Sequence, residues 1–165
     1  MKTAKNILAM LFVATTLVFA SCSKDEDDNK DNSPSISLDG TSWEATSNSS
    51  FTYMNNQIDV DILFSLDFTS KECEMFTDIN VQFPAAPQNN RHQSSTDNFK
   101  YKFDGKTLKL IDRESNSASE VMDFNAADST FIMYIPNVTQ SGINLRDMFG
   151  SDRLIFRLIR GTLNL

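Results

Sequence analysis

Between Gln57 and Thr69 every even-numbered residue is apolar: Ile58, Val60, Ile62, Phe64, Leu66 and Phe68. The residues between them are Asp59, Asp61, Leu63, Ser65, Asp67 and Thr69, all but one of them acid or hydroxyl. Successive side chains of an extended chain point to opposite faces, so this is one long strand with a dry face and a wet face. A strand of this length either bends strongly or crosses the wall of a barrel.

The rest of the chain supplies partners for it. Phe99–Phe103 and Thr107–Ile111 flank Asp104-Gly105, a dipeptide that supplies the positive φ angles of tight hairpin turns. Phe99, Tyr101 and Phe103 share one face of that hairpin, with Lys100 and Lys102 on the other. Further strands are predicted at Leu38–Ala45, Ser50–Met54, Glu72–Phe76 with Asp78–Phe83, Glu120–Phe124, Thr130–Ile135 and Leu154–Arg160. Many short strands at such spacing indicate a sandwich or a barrel. Two segments break the rhythm. Pro84–Asn98 reads as a long polar loop, and Ile143–Phe149 places Leu145, Met148 and Phe149 at helical spacing, with Gly150 as a C-cap. With 165 residues, the chain has room for one domain plus appendages.

Those appendages are N-terminal. Lys2 and Lys5 precede Ile7–Ala20, a run without charge, and small residues follow it. A basic start, a short apolar stretch and small residues make an export signal; a membrane span needs about 20 apolar residues, and this run is shorter. Phe19-Ala20-Ser21-Cys22 resembles the lipobox of bacterial lipoproteins. The resemblance implies cleavage before Cys22, a diacylglycerol on its sulfur and an acyl chain (palmitate or similar) on its new amine. Three chains exceed the two signals that stable anchoring requires. Ser23–Ser33 then has no large apolar residue and opens with Lys24-Asp25-Glu26-Asp27-Asp28, the composition of a disordered, solvated tether. An acidic run directly after the lipid cysteine is similar to the surface-export signal of certain outer-membrane lipoproteins, which implies display on the cell surface; a periplasm-facing position is the alternative. The expected organisation is therefore signal peptide 1–21, lipidated tether 22–35 and domain 36–165.

Gly40-Thr41-Ser42-Trp43 on the first strand resembles the Gly–Trp signature that opens lipocalin-like barrels, where the tryptophan closes the base. Tyr101–Leu110 is similar to a middle hairpin of small lipocalin-like lipoproteins. The resemblance implies an all-β fold: a single antiparallel, calycin-type barrel of about eight strands with one short helix. Strand alternation and this resemblance together put Trp43, Phe99, Tyr101, Phe103 and Phe131 nearest the interior. Aromatic walls with a polar tip suit a flat or apolar small molecule or lipid, with the Tyr101 hydroxyl orienting it. The same rings, among 13 phenylalanines in the chain, are also enough to fill the barrel.

Chemistry is sparsely represented. His92 is the only histidine and sits in the polar segment near Ser94, Ser95 and Asp97, without a strained nucleophile turn. One histidine and two cysteines do not make a tetrahedral metal set, and no metal or other cofactor is expected. With Cys22 acylated, Cys73 has no disulfide partner and reads as a small buried hydrophobe. Asp59 and Asp61 share a strand face at a spacing that paired-carboxylate catalysis tolerates, but alternating acids are also what any wet strand face carries. Lys100, Lys102, Lys106 and Lys109 cluster at one hairpin, where anionic headgroups or plain solvent would suit them equally. The formal charge of -7, with no basic stripe, speaks against nucleic acid as a partner. The sequence thus reads as a cell-envelope lipoprotein, not an enzyme, that acts as a small-molecule or lipid binding module; the alternative is a filled barrel serving as a structural or interaction subunit of an outer-membrane complex. Its partners are the bilayer, through acylated Cys22, and either a hydrophobic small molecule or an envelope protein. Replacing Cys22 by Ser is expected to abolish partitioning into detergent phase; unchanged membrane fractionation of that variant would remove the lipid anchor from the scheme.

Overall fold

A computed structural model of the chain describes residues 37–140 and 142–163. The signal, Cys22 and the tether lie outside the described residues. The chain forms β1 (Ser42–Tyr53), β2 (Asn56–Phe68), β3 (Glu72–Gln82), β4 (Arg91–Phe103), β5 (Thr107–Asp112), β6 (Ala118–Asn125) and β7 (Thr130–Tyr134). Two short strands, β8 (Thr139–Gln140) and β9 (Ile143–Asn144), precede the helix α1 (Leu145–Phe149) and the last strand, β10 (Arg153–Arg160). Eight of the strands close an antiparallel barrel in the order β1-β10-β7-β6-β5-β4-β3-β2, while β8 and β9 form a separate two-stranded sheet. The architecture is the one the lipocalin resemblance implies.

β2 carries the register of the whole. Its even residues point inward and are buried, from Ile58 to Phe68, and it pairs along its length with both β1 and β3. A slip of one residue would turn that entire apolar set into water, so the register is strongly specified. The β1–β2 turn uses Met54 and Asn55 at φ 49 and 60, the primed geometry that matches strand twist. At the Asp104-Gly105 turn the Asp104 carboxylate accepts the Lys106 and Thr107 N–H groups at 2.8 and 2.7 Å. Those bonds hold its carboxyl below the ordinary range.

Three expectations change. Leu38–Ala45 and Ser50–Met54 belong to one segment, with β1 unbroken from Ser42 to Tyr53. The polar stretch between them hid it: Ser47 and Ser49 point inward, and their hydroxyls donate to the carbonyls of Phe149 and Met148. Glu72–Phe76 and Asp78–Phe83 likewise merge into β3, across the inward, buried Thr77. The predicted loop Pro84–Asn98 is a loop only as far as Asn90, with a 3-10 turn at Pro87–Asn89; from Arg91 the chain is strand β4, paired residue by residue with β3. Ser94 to Asn98 are exposed on both faces because β5 meets β4 only from Phe99 onward, so no apolar alternation marks the strand.

The helix forms where its spacing predicts. Asn144 caps it by accepting the Arg146 N–H at 2.8 Å, and Gly150 ends it at φ 61. A Cβ on Gly150 would stand 3.0 Å from the Asn48 carbonyl oxygen, so the glycine lets the helix end lie against β1. Leu145, Met148 and Phe149 are buried, with the Phe149 ring stacked on Phe64 at 6.2 Å between centroids. Cys73 is buried at the start of β3, and burial pushes its thiol far up. Truncation of Leu66, fully buried, to Ala is expected to cost roughly 2–5 kcal/mol. Ser65→Ala on the opposite face should cost about 0.5 kcal/mol or less. Urea denaturation of the two variants measures the difference, and equal costs would contradict the register.

Candidate functional site

The five aromatic residues expected at the interior do not line one chamber. Trp43 and Phe131 are fully buried and pack with ring centroids 4.6 Å apart. Phe103 meets Phe131 edge-on at 5.4 Å, and Phe124 completes the group, 5.1 Å from Phe131 and 6.5 Å from Trp43. These four rings occupy the base of the barrel. Trp43 Nε1 donates to Thr41 Oγ1 at 2.9 Å, and that hydroxyl donates in turn to the Leu38 carbonyl at 2.6 Å, so the indole has its partner within the protein. Tyr101 stands apart, edge-on to Phe68 at 5.0 Å, and its hydroxyl donates to the Thr69 carbonyl at 3.0 Å. Phe99 is buried beside Cys73 across the β3–β4 ladder. Phe124 lay within a predicted strand, but only the pairing of β6 with β7 sets it opposite Phe131.

One interior group was not singled out from the sequence. Glu120 shares the inward face of β6 with Met122 and stands opposite inward-facing Leu110. Among the described residues it has no hydrogen bond or ion pair, and burial alone raises its carboxyl to about 7. The tyrosine of the same inward row, Tyr101, is already engaged, while Lys100, Lys102 and Lys109 alternate with inward residues and point outward. Two residues of strand alternation would have placed Glu120 inside, but the bulge at Leu110/Ile111 interrupts the pattern next to it.

The outer wall has two different sides. On β2 and β3 it is acidic: Asp59 accepts Gln57 Nε2 at 3.0 Å, and Asp61 accepts Asn48 Nδ2 at 2.6 Å. Hydrogen bonds from Gln57 and Ser50 hold the Asp59 carboxyl low, the opposite of what an acid catalyst needs. His92 lies on β4 rather than in a loop, and its Nε2 is 2.8 Å from Asp78 Oδ2 on the exposed face. Strand alternation sends Ser95 and Asp97 to the other face of β4 from His92, so those letters do not assemble. Asp128-Ser129-Thr130, which resembles a short O-glycosylation acceptor, spans the β6–β7 turn, with Thr130 buried.

On β6, β7 and β10 the wall is apolar and carries charge of both signs, with Asp123 exposed and Arg153 paired with Asp152 at 2.9 Å. Val121, Tyr134, Ile155 and Ile159 are exposed there, with Arg153 over the Tyr134 ring at 5.8 Å. At its border β1 and β10 separate. They pair at Ser42, Trp43 and Glu44, and beyond that point a cleft of about 510 Å3 opens between Glu44–Asn48 and Arg153–Ile159, closed at its far end by Phe149–Ser151. Arg157 on its rim has no ion pair among the described residues. Comparison with protein-family models, with curated proteins and with solved structures returned no match.

Glu120 makes stability depend on pH with a defined sign. Its ordinary value is 4.5 and its folded value about 7, so between these the unfolded chain binds fewer protons than the folded one. Stability should therefore fall as pH rises through that window, by roughly 3 kcal/mol at most. Glu120→Gln should remove most of this fall, read from urea midpoints at about pH 5 and pH 8. An identical pH profile in the variant would show that Glu120 is not the titrating group.

Proposed function

We propose that the protein is a lipid-anchored, non-catalytic interaction module of the cell envelope, held to the outer membrane through acylated Cys22 and displayed at the cell surface, with a periplasm-facing position as the alternative. The observation that carries this reading is the division of apolar surface. Inside, Trp43, Phe103, Phe124 and Phe131 fill the base with one another, and the polar tips of Trp43 and Tyr101 are spent on protein partners. Outside, Val121, Tyr134, Ile155 and Ile159 remain in water on one side of the barrel. Exposed apolar groups gathered on one wall, with cations among them, are the composition of a protein contact rather than of a solvated face.

The second reading, a binding module for a small molecule or lipid, draws its support from Glu120, an inward carboxyl that nothing in the described protein neutralises. The two readings separate in one experiment. The mature protein is examined by native mass spectrometry, and Trp43 fluorescence is followed during titration with envelope lipids and hydrophobic metabolites. The filled barrel is expected to retain no adduct and to show no saturable change. A retained adduct, or saturable quenching lost on placing a bulky residue inside the barrel, would replace the interaction module by the binding module.

A further inference from the structure

Closing a barrel removes its edges, but β4 outruns one of its neighbours. β3 accompanies β4 from Arg91 to Lys100, whereas β5 meets it only from Phe99 onward. β5 stops at Asp112, whose carboxylate accepts the Glu114 and Ser115 N–H groups at 3.1 and 2.7 Å and so fixes the turn into β6. The backbone of Asp104 faces β5, its N–H bonded to the Thr107 carbonyl at 3.3 Å. Strand alternation therefore turns the backbone groups of Lys102 and Lys100 toward β5, and above them those of Asn98, Thr96, Ser94 and His92. Among the described residues nothing meets these last four on that side. Ser94 to Asn98 are exposed, and neither proline, lysine nor bulge interrupts the edge. Arg91, Gln93, Ser95 and Asp97 share its inward face, with the cation at one end and the anion at the other. Arg91 donates one N–H to the adjacent Asn90 carbonyl at 2.7 Å, and neither Arg91 nor Asp97 has an ion pair among the described residues.

We propose that two copies of the chain pair here, β4 against β4 and antiparallel about a two-fold axis through Ser95, so that the two sheets run on into one another. The inference stands apart from the interaction-module reading, because β4 lies across the barrel from β10 and its pairing leaves the apolar wall free. The open length selects the register. Hydrogen-bonded pairs form only between residues that face the gap, and His92 opposite Asn98 with Ser94 opposite Thr96 is the one antiparallel pairing that uses all four residues of both strands. It ends where β5 begins: Arg91 would come next, opposite Phe99, which Asp112 already accompanies. There the loop before β4 draws back toward β3, since Asn90 Oδ1 accepts the Phe83 N–H at 2.8 Å. Charge fits the same register. Gln93 stands opposite the partner's Asp97 and can donate to it, and Arg91 lies on the diagonal from that carboxylate, within reach of a long side chain. A two-fold axis repeats this at both ends, so a strand with this same sequence brings cation to anion twice. No like charges face one another, and only the small hydroxyl residues Ser94, Ser95 and Thr96 meet at the centre.

The test places cysteines on this edge of the full chain in intact cells, with Cys73 buried and out of play. Ser95→Cys sets two thiols directly opposite one another across the axis, at the ~4.5 Å Cα separation of a non-hydrogen-bonded pair. Under a mild oxidant this variant should run as a dimer on a non-reducing gel. Gln93→Cys, four residues along the strand from its own copy, should stay monomeric, as should the unaltered chain. Adding Thr96→Pro to Ser95→Cys removes an N–H that faces the gap and none that faces β3, and should cut the dimer about tenfold or more. Adding Asp97→Arg instead should do the same by setting cation beside cation, and Arg91→Asp in that same chain should restore the dimer. Equal crosslinking of Ser95→Cys and Gln93→Cys, a dimer that the double charge reversal does not restore, or no dimer at all overturns the self-pairing. A Ser95→Cys adduct with another envelope protein overturns it in favour of a foreign strand. A dimer that forms only after residues 24–35 are deleted overturns it in favour of the tether lying along the edge. None of these outcomes bears on whether the barrel holds a small molecule, which the adduct and Trp43 measurements decide separately.

Discussion

The barrel exists because β1 reaches two partners at once. Its dry face is fixed by β2 along its length, but closure depends on the short ladder from Ser42 to Glu44 against Arg157 to Arg160. Trp43 sits in that ladder, pairing with Leu158 while its ring joins the aromatic base. Around it the chain ends are drawn together. Ser42 donates to Asp67, Arg160 Nη2 reaches the same carboxylate at 3.1 Å, and Gly161 passes so near that a Cβ would lie 2.6 Å from the Gly40 carbonyl oxygen. Residues far apart in sequence must all be in place for the wall to close, a topology that folds slowly because the loop entropy is lost before the contacts form.

Two unlike halves result. β1 to β4 are long and rise beyond the others, while β5, β6, β7 and β10 are shorter. The space above the short half is occupied near β1 by the segment running through α1, whose Phe149 and Met148 carbonyls accept the inward serines of β1. This is how a strand can carry serine on its dry face without loss: a buried hydroxyl is tolerated when its acceptor is built in. The same segment holds the end of the seam open, since Gly150 leans on Asn48, where the β1–β10 ladder would otherwise continue.

The parts of the fold legible in the sequence are those whose information is local. β2 shows itself by alternation, the hairpin by Asp104-Gly105, and the helix by Leu145, Met148, Phe149 and Gly150. The upper part of β4 is invisible because both of its faces are wet, and strand patterning requires a contrast between faces. β1 looks broken because Ser47 and Ser49 are satisfied by residues about a hundred positions away. The candidate surface is harder still. The arginines and isoleucines of RLIFRLIR alternate with buried Leu154 and Phe156, so their outward face is readable, but the cleft beside them depends on where the first and last strands part. No local signal encodes that point.

Cys73 gives the barrel an internal timer. An accessible thiol is open to oxidants, yet this one is fully buried and held protonated, so it persists as long as the wall around it stays shut. It lies in β3 between Phe68 of β2 and Phe99 of β4, and both ladders must loosen before a reagent can reach it. Every modified Cys73 in a population would mark one opening of this part of the sheet. The residue that contributes no chemistry to the native molecule thereby records the lifetime of its closed state.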